Sequence, residues 1–175
     1  ARGRGRNHRP ERQRHSDQPG RERNADRARA HEDVYITETA GALRVGTVFA
    51  NSGGAYLSTQ SGSIVDGLDH EFTDIKANLI VLNAVGGGIG EAGDYLDIDV
   101  SVNLLPGDTV DALGTGTLTA TARDTIRISE TSGNLNLRNV LSTLGDADLR
   151  ADASILDAVD LTDPLDPQSA QLSTP

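Results

Sequence analysis

From Val34 onward the chain is written in short bursts of alternation. Val34 and Ile36, then Leu43 and Val45, then Leu57, are apolar positions separated by polar or small residues, and each burst ends on Gly, Asn, Ser or Asp. Alternation sends successive side chains to opposite faces, so each burst predicts a strand of about three to five residues closed by a turn. Ile75, Ala77, Leu79 and Val81 continue the alternation, as do Leu96, Ile98, Val100 and Val102, and Leu118 with Ala120 makes a shorter pair. No segment carries an apolar stripe at the helical period with caps at its ends, so very little helix is expected.

The pattern also repeats. Val34–Asp66 aligns with Ile126–Asp157 at an offset of 92, with nine identities over the 28 ungapped positions. Ile36 meets Ile128, Glu38 meets Glu130, Gly41 meets Gly133, Leu43 meets Leu135 and Leu57 meets Leu149. Identities at alternating apolar positions and turn glycines are what a stacked architecture demands, because each coil buries the same inward positions against its neighbour. The apolar bursts begin about 15 to 22 residues apart, a plausible coil length. The fold expected is an all-β, right-handed parallel β-helix (solenoid) of roughly seven coils over residues 34–159. Its inward set is Ile36, Leu43, Val45, Leu57, Ile64, Ile98, Ile128, Leu135, Leu137, Leu149 and Ile155, while Arg127 and Asn136 face outward.

Several of these stretches carry a resemblance. Ile36-Thr-Glu-Thr-Ala-Gly-Ala-Leu43, Ile128-Ser-Glu-Thr-Ser-Gly-Asn-Leu135, Gly62-Ser-Ile64 and Gly86-Gly-Gly-Ile89-Gly90 resemble the β-helical stalk repeats of filamentous-haemagglutinin-like adhesins and giant repetitive bacterial surface exoproteins. The resemblance spans Val34 to about Val159. It implies a secreted or cell-surface rod that contacts host or neighbouring-cell glycans or proteins, or extracellular matrix, and that stacks on neighbouring repeats of a longer chain.

Composition divides the chain in two. Residues 1–33 hold ten Arg and six acids with no Val, Ile, Leu, Met or aromatic residue, so this arm has nothing with which to build a core and is expected to be disordered. A run of Arg, Gly, Pro, Ala and His is also what a GC-rich gene yields out of frame. Residues 34–175 reverse the balance with 20 acids and six bases, which argues against nucleic-acid contact by the folded part. Residues 160–175, rich in Asp and Pro, are expected to form a disordered tail or the start of a further coil. Five aromatic residues and no Met, Trp or Cys leave a core of Val, Ile, Leu and Ala in thin layers, which disfavours a pocket-bearing fold. The absence of an initiator Met reads as a piece of a longer protein, and no stretch of 18 apolar residues predicts a membrane span.

Candidate chemistry is sparse. Gly88-Ile-Gly90-Glu-Ala-Gly93 satisfies GxGxxG, but a dinucleotide site needs a helix to begin there and Leu96-Asp-Ile98-Asp-Val100 reads as a strand, so a tight turn is expected. On that strand Asp97 and Asp99 project together from the face opposite Leu96, Ile98 and Val100, about 6.6 Å apart. They are the candidate metal ligands, for weakly bound calcium at most. His70 lies in a polar segment running from Asp66 to Asp74 that is rich in oxygen ligands, where a solvated histidine is the default and metal binding the alternative. Glu38 and Glu130, at equivalent repeat positions before a small-Gly turn, are expected to accept turn amides. No cofactor or catalytic residue is expected, so the function expected is a structural or adhesive stalk segment. The alternative is the β-helical domain of a polysaccharide-degrading enzyme.

Overall fold

The computed structural model describes residues 24–25, 28–68, 70, 72–100 and 116–158. Thirteen strands occur among them and no helix: Asn24–Ala25 (β1), Ala28–Ala30 (β2), Val34–Glu38 (β3), Leu43–Val45 (β4), Val48–Thr59 (β5), Ile64–Asp66 (β6), Ile75–Ala84 (β7), Leu96–Asp99 (β8), Thr117–Ala122 (β9), Ile126–Glu130 (β10), Leu135–Ser142 (β11), Ala147–Ala151 (β12) and Ile155–Asp157 (β13). Every strand pairs in parallel with the strand one coil away, and together they wind a β-solenoid of about 5 turns.

Three ladders run along the solenoid. Val34, Ala55, Ile80 and Leu118 stack in the first, which β11 extends by pairing Val140 with Ala120. Leu43, Ile64, Ile89, Ile126 and Ala147 stack in the second. Ala28, Val48, Ile75, Ile98 and Glu130 form the third. Because one coil contributes to all three ladders, the spacing between successive apolar bursts counts sides as well as coils, and this is why about five turns stand where seven were expected. The repeat offset is also not a whole number of coils. Ile126, the counterpart of Val34, stacks in the ladder of Leu43, so the recurring strand–turn–strand unit occupies a different corner in its second copy. Both copies keep the turn itself, with Gly41 and Gly133 at φ of 100° and 81°.

The core is aliphatic throughout. Leu43, Val45, Leu57, Ile64, Ile98, Ile128 and Leu135 are buried as expected, with Ile36, Leu137 and Leu149 partly buried against them. Ile155 is the exception at 47 % exposed, because β13 forms the last described rung and pairs with β11 on one side only. In β7 the alternation changes phase at Asn78: Ile75 and Ala77 point inward, then Ile80, Leu82 and Ala84 take over, leaving Leu79 and Val81 half-buried. Asn136, expected to face outward, is buried and donates from Nδ2 to the Gly116 carbonyl at 2.9 Å. None of the five aromatic residues belongs to the core; Tyr35 and Tyr56 stack on each other at 4.6 Å between ring centres, outside it.

Order begins before Val34. Residues Ala28 and Ala30 of β2 pack against the core and β1 pairs with β4, so the last part of the Arg-rich arm is strand, a correction to the expected start. Small alanines at these positions allow a strand with no bulky apolar residue to cover the first coil. The expectations for residues 1–23 and for residues 159–175 lie outside the described residues. Among the described residues no helix is long and apolar enough to cross a membrane.

Candidate functional site

The polar chemistry collects around one inserted loop. β4 passes to β5 through Gly46 and Thr47 alone. One coil later the same corner must travel from Asp66, paired with Val45, to Ile75, paired with Val48, and eight residues fill the gap. The two legs of this excursion end in carboxylates, Asp66 and Asp74, both buried. Asp66 organises the loop from within: Oδ1 accepts the Leu68 amide at 2.7 Å and Oδ2 the His70 amide at 3.4 Å. Asp74 anchors it to the following coil, donating its amide to the Asp97 carbonyl at 2.8 Å and accepting the Asp97 amide on Oδ2 at 3.2 Å.

These contacts bring Asp66, His70 and Asp74 together, with one potential ligand atom from each lying within 4.8 Å of the others. Oδ1 of Asp74 is buried without a hydrogen-bond partner. Burial, reinforced by the negative charges of Asp66 and Asp97, pushes the Asp74 carboxyl up to about 8, against the lowering effect of the Asp97 amide. His70 is half-buried; its Nδ1 accepts the Phe72 amide at 3.3 Å and its ring meets the exposed Phe72 ring edge-on.

Asp97 and Asp99 do point away from Leu96 and Ile98, but the exposed acidic face expected of them does not exist. They are 4 % and 3 % exposed. Asp99 is held by the Lys76 ammonium at 2.7 Å, on the adjoining rung, and Asp97 is bonded through its backbone to Asp74. Alternation describes one strand in isolation, whereas the inserted loop and Lys76 crowd onto this side of it. The two aspartates therefore belong to different partnerships.

Glu130 ends β10 at an inward position, in register with Ile98. Only 2 % of it is exposed, and its carboxylate oxygens accept the Val100 amide at 3.2 and 3.3 Å. Burial first, then the charge of Asp99, raise its carboxyl to about 8. Glu38 accepts the Ala40 amide at 3.0 Å, so both glutamates take backbone amides near the corner, one exposed and one within the core. Gly88, Gly90 and Gly93 form a turn with Ile89 buried between rungs, and no helix follows them. An open cleft of about 450 Å³ lies elsewhere, between Ala84, Ala122 and Leu144, with Arg123 as its one charged wall.

The site's signal in the sequence was the long polar gap at a corner that β4 and β5 turn in two residues. Seeing it required the coil register, which the 92-residue offset obscured. Comparison with known protein families, curated proteins and solved structures yields no match to this chain.

Proposed function

We propose that this chain is a structural or adhesive stalk segment of a secreted bacterial surface protein. The observation that carries the reading is the unbroken stacking of parallel rungs, which makes length the property the sequence maintains from coil to coil. Apart from Glu130, the three ladders are filled by aliphatic or small side chains whose neighbours are the same position one coil before and after. Such a body grows by adding rungs and presents long side surfaces, the arrangement that suits a spacer or a display surface for glycans, proteins or matrix. Its net negative charge keeps neighbouring rods apart in solution. The stalk-like repeat grammar at Ile36–Leu43 and Ile128–Leu135 supports the same reading.

The test is to display the full chain on beads and measure retention by cell surfaces and immobilised matrix glycans, with turnover of acidic polysaccharides assayed in parallel. Retention without turnover is expected. Cleavage of a polysaccharide would overturn the stalk reading in favour of the β-helical enzyme.

A further inference from the structure

The insertion between β6 and β7 sets eight residues where β4 and β5 are joined by two. A two-residue corner is lengthened, and the added chain is polar, held at its base by two buried carboxylates. Insertions into a repeat commonly carry the specific function on an otherwise structural body. Here they place one imidazole and two carboxylates within 4.8 Å. A second observation points to a ligand: Asp74 is 0 % exposed and its Oδ1 has no partner. A dry carboxylate oxygen without a donor is costly, and a cation supplies the missing interaction.

We propose that Asp66, His70 and Asp74 bind one divalent transition ion of the zinc class, which clamps the inserted loop to the coil that carries Asp97. The ligand set selects the ion. Calcium takes six to eight oxygens, whereas zinc accepts nitrogen and carboxylate oxygen together in a four-coordinate shell. Three protein ligands leave one position for water or for a group brought by a partner. Tetrahedral bonds of about 2.0–2.2 Å set ligand atoms about 3.4 Å apart, so the cluster must draw inward on binding. His70, half-buried on the loop, is the group with room to move. The second shell is in place, since the Asp97 amide fixes Oδ2 of Asp74 and the Leu68 and His70 amides fix Asp66. Binding also changes one hydrogen bond in a way that can be watched. Ligation through Nδ1 of His70 displaces the Phe72 amide, and ligation through Nε2 puts the proton on Nδ1, so the amide loses its acceptor either way.

The inference stands independently of the stalk reading and is tested by calorimetric titration of the full chain with zinc chloride and, separately, calcium chloride. His8, His15 and His31 also offer nitrogen ligands, so the variants His70→Gln and Asp74→Asn decide the location. One saturable zinc site is expected, at least about tenfold weaker in each variant, with calcium weaker than zinc by a larger factor. The Phe72 amide resonance should shift with zinc in the parent chain alone. Zinc binding unchanged by His70→Gln, the absence of saturable zinc binding, or tighter binding of calcium would each overturn the proposal. Should Asp74→Asn fail to fold, His70→Gln together with the Phe72 resonance still decides, because His70 sits on the loop and not in the core.

Discussion

Glu130 shows how a single residue can violate its surroundings and remain. It takes an inward rung position beside Ile98, and burial holds its proton on to about 8. A carboxyl bound more tightly to its proton in the folded chain than in the unfolded one contributes stability that is complete below about 4.5. That contribution is lost as the pH rises through about 8. Urea denaturation should therefore show the solenoid weaker at pH 9 than at pH 6 by about 2 kcal/mol from this group, and Glu130→Gln should remove that share of the difference. The aliphatic neighbours behave more simply. Leu135→Ala, at a fully buried position, should cost about 2 to 4 kcal/mol, and Ile155→Ala, on the half-exposed last rung, under about 1 kcal/mol in the same measurement. Alternation alone made Leu135 legible as core. It could not show that Asn136 is buried too, because the residue opposite the core is covered by contacts from another coil, and alternation is silent about what lies beyond the second face.

At the scale of elements, the corners decide the register. Gly90 has φ of 66°, and a Cβ there would stand 2.2 Å from the Arg127 carbonyl oxygen of the next coil; Gly93 has φ of 87° with open space around it. Gly93→Ala should cost about 1 kcal/mol, the backbone penalty alone, whereas Gly90→Ala should cost at least about 2 kcal/mol more by prying two rungs apart. Thermal unfolding of the pair checks the difference. The glycine run was readable as a turn once a strand pattern followed it. The inserted loop was readable only as a polar segment, since its significance lies in a comparison between corners that stack in space and not in sequence. The same missing register joined Asp97 to Asp99, two residues away, instead of to Asp74, one coil away.

The whole chain is acidic and folds around an aliphatic core. Residues 34–175 hold 20 acids against six bases, a net negative charge whose self-repulsion added salt screens. Raising sodium chloride from low concentration to about 0.5 M should raise the melting temperature, a trend visible by far-UV circular dichroism. The all-β solenoid class was legible because stacking imposes one rule on every coil. The number of turns was not, because bursts mark sides as well as coils. With no tryptophan and all five aromatic rings outside the core, the protein's absorbance and fluorescence report on its skin. Tyr35 stacks on Tyr56 across one pair of rungs and Tyr95 meets Asp148 and Arg150 across another, so tyrosine emission will follow the parting of rungs at the surface while amide signals follow the whole backbone.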